Sequence, residues 1–247
     1  MNLRAILFDL GNTLLEYSLQ GHWREFLLQR VAEMYPRVCE LTKPVAVSLA
    51  DFTARINEII GNRARGIEGD GFSWHFADRL REGLGAVGIN ADEAMLEQLT
   101  DFFYEPIHAC TKPYSDTAEV LETLKSRGMR LAIITNAPWD TPARLLRSDL
   151  EQWGFADYFE AFICSGNVPW RKPNPKFMFA AADALGVLKE ECLVVGDTFD
   201  KDIVGAANAE MMSVWINRDG AGAPVEGLQP TWIVTSLSQF WELECWT

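Results

Sequence analysis

Short apolar runs of strand length recur along the chain, at residues 5–8, 131–134, 161–164, 192–195, 213–216 and 232–234. Most end in a polar cluster, and several are rich in Ile and Val, as buried strands are. Stretches with helical period lie between them. Residues 117–127 carry Val120, Leu121 and Leu124 and stop at Gly128; residues 142–153 carry Leu145, Leu146 and Leu150 and stop at Gly154. Residues 175–185 open with Asn174 as N-cap and Pro175 at the first helical position, and Gly186 closes them. Residues 202–209 and 236–243 complete the alternation. Strand, helix, strand, helix predicts a doubly wound, Rossmann-like α/β fold, with a parallel sheet covered on both faces.

The stretch from 17 to 112 breaks the alternation. It holds no convincing buried-strand run and reads as helix over 23–34, 49–63, 72–84 and 91–107, punctuated by Pro36, Pro44, a glycine-rich segment at 66–71, and Gly88. The expected division is therefore an α/β core of residues 1–16 and 113–247, with a helical domain of residues 17–112 inserted after the first strand. Hinges fall near 16–18 and 112–114. The competing arrangement is a single domain with one long helical excursion.

Composition adds boundaries. The chain has 247 residues, enough to bury a sizeable core, and 48% of them are hydrophobic against 23% charged, which is ordinary for a globular protein. Twenty-two basic residues stand against 35 acidic ones, a net charge of −13. That argues against a nucleic-acid or anionic-membrane surface, and it requires local cations wherever a phosphate binds. The five cysteines share no CxxC spacing and read as small buried hydrophobes in a reducing compartment. The first apolar run is interrupted by Asp9 and lacks the length of a signal-peptide core, and no uncharged stretch could span a bilayer, so the expected location is cytoplasmic.

Three strand runs end in polar residues of reactive type: Asp9-Leu10-Gly11-Asn12-Thr13, Thr135-Asn136, and Gly196-Asp197-Thr198-Phe199-Asp200-Lys201-Asp202. In a parallel sheet these ends share one edge, where open α/β folds bind ligands. Lys172 sits just ahead of the helix begun by Pro175, and Pro173 favours an extended backbone at Lys172. Asp9, Asp197 and Asp202 would repel one another, and a hard divalent cation, Mg²⁺ above all, would relieve the repulsion. Such a cation could hold a phosphate beside the carboxylates, with Lys172 and Thr135 on its other oxygens, while an aspartate attacks phosphorus.

The ordered set Asp9-x-x-x-Thr13, Thr135, Lys172 and Gly196-Asp197-x-x-x-x-Asp202 resembles the haloacid dehalogenase-like hydrolase superfamily. The helical insert is similar to the cap of the subclass whose cap lies between the first and second motifs. The resemblance implies a phosphatase acting on a small phosphorylated metabolite, with Asp9 as nucleophile, Thr135 as phosphate-binding hydroxyl and Lys172 neutralising the phospho-aspartate. It implies Mg²⁺ held by Asp9, the Gly11 carbonyl and Asp197, with Asp202 supporting the metal directly or through water. Asn12, Thr13 and Asn136 flank these positions as candidate substrate contacts. Within the insert, the aromatic cluster around Trp74 and His75 could cover a sugar or base, and Trp139 and Trp170 follow motif segments as candidates for the cleft wall. A cap's apolar surface is also a candidate homodimer face.

One position departs from the family pattern. A second aspartate, the general acid/base, commonly stands two residues after the nucleophile, and here it is Gly11. Loss of a general acid costs about 10²–10⁴ in rate when the leaving group is poor. Either the substrate has a good leaving group, or Asp140 or a cap residue supplies the proton. Two alternatives follow from the same departure: a 2-haloacid dehalogenase using Asp9 on carbon, and a binding or regulatory protein with weakened chemistry.

Overall fold

All six apolar runs become strands of one sheet; four are buried on both faces, and the two edge runs, 161–164 and 232–234, are partly exposed. The computed structural model of the chain describes residues 2–18, 22–42, 47–66 and 73–243, with 62–66 described by backbone alone. Its strands, in chain order, are β1 (Ala5–Phe8), β2 (Leu15–Tyr17), β3 (Thr111–Pro113), β4 (Arg130–Thr135), β5 (Ala161–Cys164), β6 (Cys192–Gly196), β7 (Met212–Ile216) and β8 (Trp232–Val234). Six of them form a sheet in the order β5-β4-β1-β6-β7-β8, and every pair is parallel. The α/β expectation therefore holds.

Successive side chains of the sheet point to opposite faces, and each face is covered by helices. The helices are α1 (Trp23–Leu41), α2 (Leu49–Gly66), α3 (Phe76–Ala86), α4 (Glu93–Ala109), α5 (Thr117–Ser126), α6 (Ala143–Glu151), α7 (Pro175–Leu185) and α8 (Val204–Asn208). Ala5, Leu7, Ala132, Ile134 and Val194 pack on α7 and α8 through Phe177, Met178, Ala181 and Ala206. Ile6, Phe8, Leu131, Ile133 and Val195 face the other way, toward Val120, Leu121 and Leu124 of α5 and Leu145 and Leu146 of α6. Asn174 caps α7, its side chain accepting from the Lys176 N–H at 3.1 Å, and Gly186 closes the helix at φ 61°. The segment expected as helix at 202–209 starts instead as a π-helical turn at Phe199–Ile203, and the last expected helix is 3₁₀ at Leu237–Glu242.

The insert forms helices α1 to α4, as its period predicts, with two differences. Its ends, β2 and β3, form a short antiparallel ribbon pairing Leu15 with Pro113 and Tyr17 with Thr111, which three-residue runs cannot announce. Helix α1 also runs straight through Pro36 instead of stopping near Met34. Pro106 likewise lies inside α4, where it leaves the Phe102 carbonyl without its helical donor. Arg30 of α1 donates to that carbonyl and lays its guanidinium over the Phe102 ring at 3.8 Å. An arginine from a neighbouring helix thus repairs the break that proline makes.

Buried apolar side chains of the insert join those on the α5/α6 face in one continuous cluster. Beside it, Asp149 of α6 accepts from the Tyr17 hydroxyl at 2.8 Å and the Tyr104 hydroxyl at 2.6 Å, while His108 Nδ1 lies 2.6 Å from its other oxygen. Burial raises the Asp149 carboxyl above its ordinary value, and the hydrogen bonds from Tyr104, His108 and Tyr17 pull it back. Asp149→Ala strands two buried hydroxyls, which is expected to cost about 2–4 kcal/mol and lower Tm by about 5–15 °C, read by thermal unfolding.

Cys164 and Cys192 are buried free thiols, as expected, whereas Cys39 and Cys110 are only partly buried and Cys245 lies outside the described residues. Among the described residues, no helix is long and apolar enough to cross a membrane.

Candidate active site

The chain moves outward from β1 to β4 and β5 on one side and to β6, β7 and β8 on the other. The crevice at the carboxyl end of β1 is therefore a topological switch point, the place where ligands bind in such sheets. Register brings the motif residues to it. Phe8 pairs with both Ile133 and Val195, so Asp9, Thr135 and Asp197 all emerge at this edge. The Asp9 N–H is fixed by the Val195 carbonyl at 2.8 Å.

Lys172 enters from the loop after β5 and is almost wholly buried. Its Nζ donates to Asp9 Oδ1 at 2.5 Å and to Asp202 Oδ1 at 2.6 Å. Burial works against its charge, but the Asp202 and Asp9 carboxylates more than compensate and hold the ammonium above its ordinary pKa. Asn136 locks the Lys172 backbone, accepting from its N–H at 2.9 Å and donating to its carbonyl at 3.1 Å. Thr13 stands behind the nucleophile candidate, fully buried, and donates to Asp9 Oδ2 at 3.2 Å.

Asp202 needs Gly196 to reach this position. A Cβ on Gly196 would lie 2.2 Å from the Asp202 carboxyl carbon, so no larger residue fits beside it. The second Asp202 oxygen accepts from the Thr198 N–H at 3.0 Å. Carboxylate oxygens of Asp9, Asp197 and Asp202 all lie within 4.8 Å of one another. Burial, then the charges of Asp9 and Asp202, push the Asp197 carboxyl up to about 8, and Asp202 reaches about 6 through burial despite Lys172. Among the described residues, three carboxylates share one ammonium, so the cluster is short of positive charge, and its hard oxygen donors suit a divalent cation such as Mg²⁺.

A cavity of about 420 Å³ opens over this edge, lined by Asp9, Gly11, Asn12, Thr135, Asn136 and Lys172 among the expected residues. Trp139 also lines it, and Trp170 does not. Tyr17, Trp23, Arg79, Arg171, Thr198 and Lys201 line it without having been singled out by sequence. Arg171 adjoins Lys172, which was its one signal. Arg79 interrupts the apolar stripe of Phe76, Leu80 and Gly83 on α3, and a buried charge in such a stripe was the signal there. Gly11 is walled by Tyr17, whose ring would touch a Cβ at residue 11 at 3.5 Å.

Trp74 and His75 lie outside the cavity lining. Instead they join the insert to the core loops. The Trp74 N–H donates to Asp140 Oδ2 at 2.8 Å, His75 Nδ1 lies 2.6 Å from the Gly166 carbonyl oxygen, and the Ser73 N–H donates to the Pro169 carbonyl at 3.1 Å. Asp140, considered above as a proton donor, is buried between Arg79 and Arg171 and does not line the cavity either.

The sequence profile of the haloacid dehalogenase-like hydrolases matches residues 3–210. The chain belongs to this family. It is 32% identical over 245 residues to a pyrimidine 5'-nucleotidase of Escherichia coli (strain K12), covering 97% of each. Among solved structures, a HAD phosphatase from Thermococcus onnurineus superposes with TM-score 0.63 at 24% identity, covering 97% of each chain. A 2-haloacid dehalogenase from Pseudomonas syringae pv. Tomato DC3000 gives 0.65 at 25% identity, also covering 97% of each. The protein is thus a haloacid dehalogenase-like hydrolase. Its curated relatives include several phosphatases acting on small phosphorylated compounds.

Proposed function

We propose that this hydrolase cleaves small organic phosphomonoesters with the help of Mg²⁺, through a phosphoryl group carried on Asp9. The observation that carries this reading is the triad Asp9, Asp197 and Asp202, held within 4.8 Å beside one buried lysine. Attack on carbon needs one carboxylate and gains nothing from two more. Attack on phosphorus brings a dianionic group up to Asp9, and that encounter needs added positive charge.

The divalent ion, held by Asp9, Asp197 and the Gly11 carbonyl, would supply that charge and orient the phosphoryl group. Both Asp202 oxygens are already engaged, by Lys172 and by the Thr198 N–H, so Asp202 serves by anchoring Lys172. Asp9 forms the bond to phosphorus while the ester oxygen leaves; Lys172 and the Thr135 hydroxyl hold the charged oxygens. Water then attacks phosphorus and frees Asp9. Residues 17–112, which carry helices α1 to α4, act as the cap that shields these steps from bulk water.

The leaving group receives no proton from residue 11. Asp140 is held between two guanidinium groups, so it gains no support as the proton source, and a cap residue is the alternative that stands. Esters with good leaving groups, which need no such proton, are the substrates that fit residue 11.

The dehalogenase reading retains one observation, the glycine at residue 11. A single comparison decides between the two: phosphate release from phenyl phosphate and halide release from 2-chloropropionate, each with and without Mg²⁺. Mg²⁺-dependent phosphate release without halide release supports the phosphatase. Metal-independent halide release overturns it.

A further inference from the structure

The loop that follows Asp9 is tied to the sheet at its start, through the Asp9 N–H, and then turns back sharply. Asn12 adopts a left-handed conformation at φ 57°, uncommon outside glycine though less so for asparagine. Its N–H reaches the Leu15 carbonyl at 2.6 Å, and the N–H groups of Leu14 and Leu15 both donate to the Leu10 carbonyl at 3.0 Å. The turn uses its own N–H groups in this way, and the carbonyls of Asn12, Thr13 and Leu14 take their donors from other parts of the chain.

Three neighbours supply those donors. Arg218, just beyond the end of β7, donates from Nη2 to the Thr13 carbonyl at 3.2 Å and from Nε to the Asn12 carbonyl at 3.4 Å. Tyr114, the residue after β3, donates its N–H to the Leu14 carbonyl at 3.2 Å, and the Thr117 hydroxyl donates to the same oxygen at 2.8 Å. The Arg218 guanidinium also lies over the Tyr114 ring, 3.7 Å from its centroid. Arg218 and Tyr114 thus form one stacked pair that grips three successive carbonyls.

The grip reaches Asp9 through Thr13. The Asp9 carboxylate can rotate about its side-chain bonds, and two contacts fix its angle: Lys172 on Oδ1 and the Thr13 hydroxyl on Oδ2. Lys172 is itself locked by Asn136 and Asp202. Thr13 is fully buried, and Arg218 fixes its backbone.

We propose that Arg218, stacked on Tyr114, is a positioning residue for the nucleophile, setting the angle of Asp9 through Thr13. The proposal rests on Asp9 as the attacking group and holds whether phosphorus or carbon is attacked. Arg218 stays out of the cavity lining, so its effect is on orientation and not on substrate binding. A guanidinium suits the task, because its donors spread from one rigid plane whose face stacks on a ring; a lysine ammonium offers neither feature.

The test compares the parent, Arg218→Ala, Arg218→Lys and Tyr114→Leu on phenyl phosphate with Mg²⁺ and, for halide release, on 2-chloropropionate. Arg218→Ala should lower kcat about 10–100-fold with KM within about threefold of the parent's, because a misplacement of about 1 Å costs up to about 10²-fold. Arg218→Lys should recover part of the loss, and Tyr114→Leu should lower kcat in the same direction and by less. Methylguanidinium should restore kcat several-fold in Arg218→Ala and leave the parent unchanged, a readout that a purely structural role would not move. A kcat for Arg218→Ala within about twofold of the parent's overturns the proposal and leaves the phosphatase standing. A loss that follows a fall in Tm and resists methylguanidinium also overturns it. Halide release in place of phosphate release, weakened and rescued in the same pattern, supports the positioning role and overturns the phosphatase. Absence of both activities in the parent overturns both.

Discussion

Asp9→Asn is expected to lower phosphate release by about 10⁴-fold or more, the scale on which loss of a covalent nucleophile is felt. The amide keeps an acceptor near Lys172, so the site should keep its shape. It also removes one of three carboxylates packed within 4.8 Å, and the relief of repulsion offsets the weakened ion pair. Tm should therefore move by no more than about 3 °C. Steady-state kinetics beside thermal unfolding checks both halves. A large loss of Tm would mean that Asp9 is part of the scaffold.

Lys172→Met is expected to damage both activity and stability. Lys172 is 3% exposed, and among the described residues its ammonium is the one cation hydrogen-bonded to Asp9 and Asp202. Removing it leaves two buried carboxylates facing each other, a change that costs about 3–5 kcal/mol and roughly 10 °C in Tm. Loss of the charge at the phosphoryl oxygens should cut kcat by about 10²–10³. Mg²⁺ should raise Tm more in the variant than in the parent, because a cation bound only by the folded chain replaces part of the missing charge. Equal Mg²⁺ effects in the two proteins would argue against a shared cluster.

The sheet was legible because its central strands are buried on both faces and so read as continuous apolar runs. The site was legible for a related reason: in a parallel sheet, the polar residue after each run shares an edge with the others. Asp9, Thr135 and Asp197 could be placed from strand ends, Lys172 from the helix start that follows it, and Asp202 from its spacing after Asp197. What escaped depends on partners far apart in sequence. Helix α1 crosses Pro36 because tertiary packing outweighs a local breaker, and Pro106 is tolerated because Arg30 supplies the missing donor. The ribbon of β2 and β3 is too short to carry a period. Trp74 and His75 have the composition of a substrate contact, but main-chain carbonyls and Asp140 claim that segment. Arg79 and Arg171 look like solvated charges in a one-dimensional reading, and only the fold shows them sharing one buried aspartate.

The most direct test of the account is to trap the phosphoryl group on the chain. The protein is mixed with a radiolabelled aryl phosphate and Mg²⁺, quenched rapidly in acid, digested and mapped. The account predicts label on the peptide containing Asp9, absent without Mg²⁺ and absent in Asp9→Asn. Label on another residue, or turnover by Asp9→Asn at the parent rate, would contradict it.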